Sequence, residues 1–483
     1  MWSLVLILTP LLAALIILII PGLRKVKSIA LTASLALLVL TCTLWFTGTG
    51  EKQYSLILPW IPSWGIWFHV GMDGISFLMV LLTNLLIPFV ILSGWHKDIK
   101  LPGVFYSLIL LVQFALTGVF TAKNAVLFYF FWELSLIPVF FMLFLWGGER
   151  RQSVTMKFFI YTLFGSLFLI AVFIYLYFQA PSPHSFEYQN LLNINLEPCD
   201  QYWVFWFLLL SFAIKIPLFP FHSWQPDTYT VAPVEGSMLL GGLLMKMGIY
   251  AMIRWMIPVL PSFSLQWGYW IMIFALAGMI LFSVIALKQN NFKTFIAWSS
   301  LAHGGLMGAA IFSFNEYALQ GVLFQSFSHG ILIVLLFYFA QLIEERTQTL
   351  NMAHLGGLKV AAPRFSALML VVFLGSIGLP LTNGFIGELL MLLGLFSYHL
   401  WAAILGGLSL VLGAVYMLYA YQKTALGPAN ELTAGFTDLN PRELVFILPL
   451  VALVLLTGIY PQPLLTLTEG PVKELINLAF NIH

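Results

Sequence analysis

The sequence is poor in charged residues, in cysteine and in long polar stretches. Only 8% of its 483 residues are charged, whereas 61% are hydrophobic; soluble globular chains carry about 25% charged residues. So little charge excludes a soluble enzyme and indicates a polytopic membrane protein. The segments without an apolar span, such as residues 179–201, are too short for a soluble domain. The net charge of +2 gives no reason to expect a nucleic-acid partner.

The sequence also lacks the residues that hold common cofactors. Two cysteines, Cys42 in an apolar run and Cys199 in a loop, are too few for an iron–sulfur cluster or a structural zinc site and are poorly set for a disulfide. The glycine-rich stretch 236–242 has neither the spacing nor the preceding strand of a nucleotide-binding loop. We therefore expect a chain without a redox cofactor or nucleotide of its own.

What the sequence does contain is a succession of apolar runs of about 20 residues, the length of a transmembrane helix. They predict an all-α polytopic membrane protein with about fourteen spans. Those spans are 2–22, 28–47, 75–95, 103–121, 124–146, 155–178, 202–219, 233–257, 265–287, 292–313, 316–343, 364–398 with an internal break, 400–423 and 443–460. Residues 51–74 hold three tryptophans and two prolines, which indicates an aromatic-rich interfacial loop or hairpin.

The distribution of Lys and Arg indicates the orientation of the spans. Fifteen of the 21 basic residues lie in or beside the loops after odd-numbered spans, four lie in or beside the loops after even-numbered spans or in the tail, and two lie deep inside spans. Because cytoplasmic loops are rich in Lys and Arg, both termini are predicted on the non-cytoplasmic side. The first span has Arg24, Lys25 and Lys27 after it, so we expect a retained helix and a multi-pass protein of a bacterial inner membrane.

The two basic residues inside spans are Lys215 in span seven and Lys246 in span eight. A charge at membrane depth is costly and commonly marks an ion pathway. Lys215 stands two residues before Pro217, which cannot donate to the carbonyl of Ala213, so span seven should break beside its own lysine. Span eight is interpreted as unbroken, with Lys246 ~20 Å from its start.

Other titratable residues also lie well inside apolar runs. Glu133 is ~14 Å into span five, and His303 and His329 lie centrally in spans ten and eleven. Buried carboxyl and imidazole groups can be packing residues satisfied by hydrogen bonds, and a fixed ion pair with a lysine would hold helices together without moving protons. Two central histidines also leave open axial ligation of a haem.

A second break is predicted in span twelve. Gly378, Pro380 and Gly384 interrupt the helix, and Glu388 follows the interruption. The bare carbonyls at the end of a helix attract a cation, so the helix end at the first break would stabilise a positive charge on Lys215. The amide groups at the start of a helix attract an anion, so the helix start at the second break would stabilise a negative charge on Glu388. Two breaks about five spans apart, with opposite charges on opposite sides, are what an inverted repeat produces.

Together these residues suggest proton transfer. Burial disfavours the charged form of a lysine and an approaching carboxylate restores it, so a buried lysine with a switchable glutamate can load and release a proton. The candidate stations at one depth are Glu133, Lys215, Lys246, His303, His329 and Glu388. Acidic residues near span ends are expected to cap helices or turns instead; these are Asp73, Asp227 and Glu235.

Five segments resemble the antiporter-like subunits of respiratory complex I, most closely the family of chain M, called subunit 4 in mitochondria. They are FFWELSLIP (130–138), AIKIPLFPFHSWQPDTYTVAP (213–233), LLMKMGIY (243–250), QGVLFQSFSHG (320–330) and GLPLTNGFIGE (378–388). Glu388 favours this family, since related subunits and Mrp-type antiporter chains commonly have Lys there. One departure is Leu381, since relatives often have Gly after the proline of the second break.

The resemblance implies two inverted five-helix repeats with broken spans seven and twelve. Spans four to eight occupy 103–257 and spans nine to thirteen occupy 265–423, flanked by an N-terminal segment, 1–102, and a C-terminal helix and tail, 443–483. It implies that Glu133 modulates Lys215, that Lys246 relays the proton and that Glu388 passes it to the exit side. His303 and His329 match histidines that connect the stations.

The resemblance also implies the partners. They are the lipid bilayer and the other membrane subunits of complex I, including further antiporter-like subunits, while NADH, FMN, iron–sulfur clusters and quinone belong to other subunits. The alternatives are a subunit of a Mrp-type cation/proton antiporter or of a related membrane-bound hydrogenase, and a structural scaffold with fixed ion pairs.

Overall fold

In a computed structural model of the chain, the described residues are 2–20, 25–48 and 54–480. Arg24 and Lys52, which contribute to the predicted charge distribution, and the end of span one lie outside them. The chain forms two compact units. Unit 1 comprises the residues up to Ile216, Val231–Gly268 and the residues from Leu467 on, and unit 2 comprises Pro217–Thr230 and Tyr269–Thr466.

The first half of the chain is helical apart from one hairpin. Its elements are α1 (Trp2–Ile19), α2 (Val26–Thr47), β1 (Leu56–Ile61), β2 (Ile66–Val70), α3 (Gly74–Ser93), α4 (Pro102–Thr121), α5 (Ala125–Leu134), α6 (Leu136–Trp146), α7 (Arg151–Gln179), α8 (Tyr188–Leu192) and α9 (Pro198–Lys215). The antiparallel β1–β2 pair confirms the hairpin expected near residues 51–74, so the fold is not purely α-helical.

The second half continues with α10 (Gln225–Val231), α11 (Val234–Met256), α12 (Pro261–Leu287), α13 (Phe292–Ile311), α14 (Glu316–Thr347), α15 (Leu358–Ala361), α16 (Pro363–Ile377), α17 (Asn383–Tyr398), α18 (Leu400–Ala425), α19 (Pro441–Ile459) and α20 (Gln462–Phe480). Two short 3₁₀ turns, Pro62–Trp64 and Met352–His354, complete the described elements.

Within unit 1, α1 packs against α4, α2 against α3, and α7 against α9. The break predicted in span seven is confirmed, because α9 ends at Lys215, two residues before Pro217. Span eight is one continuous helix, α11, as predicted. The sequence did not predict that two π-helical segments, Leu240–Leu244 and Met252–Met256, lie within it on either side of the turns that carry Lys246. Such wider turns commonly occur at functional sites.

Within unit 2, α14 packs against both α13 and α17. Glycines allow the close approach of α14 and α17, since a Cβ on Gly387 would collide with Gln325 and one on Gly321 would lie 2.6 Å from the backbone nitrogen of Met391. The break in span twelve is confirmed between α16 and α17. Gly378 ends α16 in the left-handed conformation with φ 77°, which glycine adopts without a Cβ clash.

Among the described residues, eleven helices are long and apolar enough to cross a membrane. The predicted spans seven, ten and twelve correspond to α9, α13 and the pair α16–α17. These helices are too short or not apolar enough to count among the eleven. The count of fourteen spans, the inverted repeats and the four-segment division of the chain therefore stay predictions. The predicted C-terminal tail contains a helix that the sequence reading missed, α20.

Candidate functional site

The first cluster of predicted residues lies in unit 1, around the end of α9. Lys215 is the last residue of that helix and is 5% exposed. Its Nζ lies 5.3 Å from the centre of the Trp132 ring, within range of a cation–π interaction. The lysine also interacts electrostatically with Glu133, whose Oε1 is buried without a hydrogen-bond partner. The structure therefore brings Glu133 within electrostatic range of Lys215.

Glu133 lies beside a junction within span five, where α5 and α6 meet at Ser135. The Ser135 hydroxyl donates to the Trp132 carbonyl at 2.7 Å, a local bond of the kind that bends helices. Trp132 and Glu133 therefore lie in the last turn of α5.

Lys246 is fully buried in α11, and its Nζ donates to the Gly241 carbonyl at 2.6 Å. Gly241 belongs to the first π segment of α11, where the wider turn leaves carbonyl groups less tightly bound within the helix. Lys246 and Lys215 lie on helices that approach closely at Gly248, because a Cβ there would lie 2.5 Å from the Ile216 side chain.

A group of polar residues one and two turns beyond Lys246 was missed by sequence reasoning. The Tyr250 hydroxyl donates to the Phe120 carbonyl at 3.0 Å and lies 3.0 Å from the Ser76 hydroxyl. Arg254, close to the predicted end of span eight, is 9% exposed inside α11 and forms an ion pair with Asp73. The regular spacing from Lys246 to Tyr250 to Arg254 was the available signal.

The acidic residues near span ends have mixed outcomes. The Asp73 carboxylate accepts from the Ser76 amide at 3.0 Å and so caps α3, as predicted. Glu235 lies in the first turn of α11, and its carboxylate also takes part in an ion pair. It is 1% exposed and accepts a hydrogen bond from Lys97 Nζ at 2.9 Å, so it forms a part-buried ion pair that the sequence did not suggest.

The second cluster lies in unit 2, at the break between α16 and α17. His303 Nε2 lies 3.3 Å from Glu388 Oε1 and 3.1 Å from the Ser376 carbonyl. The carboxylate is 3% exposed and lies against Gly378, where an added Cβ would come 3.0 Å from Glu388 Oε2. Glu388 does not lie in the first turn of α17, so its partner is the imidazole rather than the amide groups of the helix start.

His329 lies beside His303, with the two ring centres 5.4 Å apart. Both rings line a cavity of ≈ 10 Å³, together with Ser299, Gln325 and Ser376, which is room for about one water molecule. His303 Nδ1 lies 3.0 Å from the Ser299 carbonyl. Both nitrogens of His303 are therefore occupied and the cavity is far too small for a porphyrin, so the haem alternative does not fit.

A model of the family described as the transmembrane part of NADH:quinone oxidoreductase and Mrp antiporters matches residues 122–413. That range is more than half of the chain and includes both clusters. The chain belongs to this family. All six predicted proton stations, Glu133, Lys215, Lys246, His303, His329 and Glu388, fall inside the matched range.

Several members of the NADH:quinone oxidoreductase/Mrp antiporter family are similar to the chain over most of its length. NADH-quinone oxidoreductase subunit M of Rickettsia conorii is 36% identical over 427 residues, covering 88% of this chain and 86% of the relative. A chain of respiratory complex I from Thermus thermophilus is 32% identical with a TM-score of 0.90, covering 98% of this chain and all of that one. A chain of the Mrp complex from Dietzia has a TM-score of 0.85, with 18% identity over 99% of this chain and 52% of its own length. At that identity the Mrp match shows the fold alone.

Proposed function

We propose that the chain is a proton-translocating membrane subunit of an NADH:quinone oxidoreductase of the complex I type. The observation that carries the proposal is the burial of a titratable cluster at a helix break in each unit, Lys215 with Glu133 in unit 1 and Glu388 with His303 in unit 2. Charges inside a membrane are costly, and broken helices that carry them commonly form transport sites. The names of the relatives supply the reaction that would drive the transport.

In unit 1, Lys215 would hold the proton and Glu133 would control it. The bare carbonyls at the end of α9 and the Trp132 ring both favour a positive charge on Lys215. A carboxylate that approaches the ammonium strengthens that preference, and one that withdraws weakens it. Movement of Glu133 relative to Lys215 would therefore load and release a proton, and Lys246 would act as the relay.

In unit 2, Glu388 and His303 would exchange a proton across their 3.3 Å contact. An imidazole changes its charge close to neutral pH and suits proton transfer. His329, beside His303 at a cavity for about one water molecule, would be the next station. Glu388 would pass the proton to the exit side.

We further propose that the chain carries no redox cofactor of its own. NADH, FMN, iron–sulfur clusters and quinone would be bound by other subunits of the complex, and further antiporter-like subunits would be its membrane neighbours. We place it in a bacterial inner membrane with both termini on the non-cytoplasmic side, on the charge distribution of the sequence.

Copurification tests this assignment against a Mrp-type antiporter or a membrane-bound hydrogenase. We expect the tagged chain, extracted in mild detergent, to bring down flavin and iron–sulfur subunits with NADH:quinone reductase activity. The recovery of small antiporter subunits without flavin, or of a hydrogenase subunit, would instead support the alternative. At 18% identity, the match to the Mrp chain shows a shared fold and does not support an antiporter function.

A further inference from the structure

A buried glutamine faces the cavity between the two histidines of unit 2. Gln325 lies in α14 and is 1% exposed. Its side chain lines the cavity of ≈ 10 Å³ together with His303 and His329. Gln325 stands four residues before His329, so the two side chains lie on the same face of α14. The proton transfer proposed for unit 2 does not yet involve this glutamine.

The Gln325 amide is held in place by α17. Gly387, the residue before Glu388, leaves room for the amide, because a Cβ on Gly387 would collide with Gln325 Oε1. The amide therefore packs against the turn of α17 that carries Glu388. On its other side it reaches the cavity of the two histidines.

The Oε1 atom of Gln325 requires a hydrogen-bond donor. It is buried, and none of the residues that the structure describes donates to it. A buried acceptor without a donor is destabilising, so such atoms in native proteins ordinarily bind an ordered water molecule. The cavity beside Gln325 has room for about one water. It also offers that water further polar neighbours, since Ser299, Ser376, His303 and His329 line it.

The same cavity adjoins the hydrogen-bond partners of His303. The Ser299 carbonyl lies 3.0 Å from Nδ1, the Ser376 carbonyl lies 3.1 Å from Nε2, and both serines line the cavity. The His303 ring is therefore in contact with Glu388 through Nε2 and with the cavity through its own lining surface. A water held there lies between the histidine that contacts Glu388 and the next histidine, His329.

We infer that Gln325 is a positioning residue that holds one water molecule between His303 and His329 for proton transfer. The inference rests on the proposed function, because it requires that both histidines carry protons. The water donates one hydrogen to Gln325 Oε1, which leaves its second hydrogen and its lone pairs for the histidines. It accepts a proton from the His303 imidazolium as it gives its own to the neutral His329 imidazole. The water stays neutral, His303 becomes neutral and His329 becomes the cation, while Gln325 is chemically unchanged.

The variant Gln325→Met tests this role in the assembled complex, because methionine has a similar length and shape but no strong acceptor. In inverted membrane vesicles supplied with NADH, we expect Gln325→Met to lower the proton-pumping rate by about tenfold, since a misplaced reactant commonly costs that much or more. The solvent isotope effect on pumping, measured in heavy water, should rise, because transfer through the unanchored water becomes the slowest step. Gln325→Glu keeps an oxygen acceptor and should restore part of the rate.

The matched control is Gln341→Met, which changes a second buried glutamine of α14, ~24 Å along the helix from Gln325. It should keep the wild-type pumping rate and isotope effect. Should Gln325→Met fail to assemble, Gln325→Asn, which withdraws the amide by one methylene, decides by the same criteria.

Two results would overturn the inference and leave the proposed function standing. In the first, His303→Gln lowers pumping while Gln325→Met behaves like the control. In the second, Gln325→Met lowers pumping with an unchanged isotope effect and Gln325→Glu restores nothing, which would make Gln325 a packing residue. If His303→Gln itself keeps the wild-type rate, the function proposed for unit 2 is wrong, and the inference is wrong with it.

Discussion

At the residue scale, the contact between Glu388 and His303 is the most specific interaction in unit 2. A buried carboxylate is stable only with a partner that offsets the loss of hydration, and His303 Nε2 at 3.3 Å is that partner. The sequence predicted both residues and their depth. It did not predict that they contact each other, because a carboxylate six residues into α17 and an imidazole in α13 meet only through helix packing.

The contact predicts coupled effects of substitution. Glu388→Gln and His303→Gln should each lower the NADH-driven proton-pumping rate by about tenfold or more, since a positioned acid or base commonly contributes that much. The double variant should be no slower than either single variant, because residues in one hydrogen-bonded pair are not additive. Rates that multiply in the double variant would mean that the two side chains act independently.

At the element scale, the breaks were predictable where proline and glycine mark them, and the π segments were not. Pro217 predicts the end of α9, and Gly378 predicts the end of α16. The segment around Lys246 has no proline, so nothing in its apolar pattern separates a π turn from an α turn. At Leu381 the sequence has no glycine, although the backbone conformation favours one. Leu381 has φ 76°, in a region that favours glycine, at the position where the resemblance leads us to expect Gly.

Strain at Leu381 can be measured by comparison with Leu379 in the same break. Both leucines are well exposed, at 65% and 44%, so replacement by glycine removes little packing. Leu379→Gly only adds freedom to the unfolded chain, whereas Leu381→Gly also relieves a left-handed conformation that disfavours a side chain by about 1–2 kcal/mol.

We therefore expect Leu381→Gly to be less destabilising than Leu379→Gly by about 1 kcal/mol. The measurement is the thermal unfolding midpoint of the purified complex in detergent, with the wild-type complex alongside. Equal destabilisation by the two changes would mean that the Leu381 backbone is not strained.

At the scale of the whole molecule, the described residues divide into two units, and each contains a predicted helix break beside a buried cluster of titratable residues. The sequence predicted the membrane class and both breaks, because these depend on residue type and spacing, whereas the proton-carrying role of the six titratable residues stays a prediction. It missed the Lys97–Glu235 and Asp73–Arg254 pairs and the hydroxyl of Tyr250. Those groups stand near the ends of apolar runs, where a polar residue is ordinarily a cap or a loop residue, and only tertiary packing buries them.

The central claim is that Lys215 carries protons rather than holding helices together, and the most direct measurement is proton pumping by the assembled complex with Lys215→Ala. Lys100→Ala, at an exposed lysine, is the matched control. With NADH as donor, the account predicts that Lys215→Ala strongly lowers both proton pumping and coupled quinone reduction, and that Lys100→Ala leaves both unchanged. Pumping and quinone reduction at wild-type rates in the Lys215→Ala complex would contradict the account and leave Lys215 a structural residue.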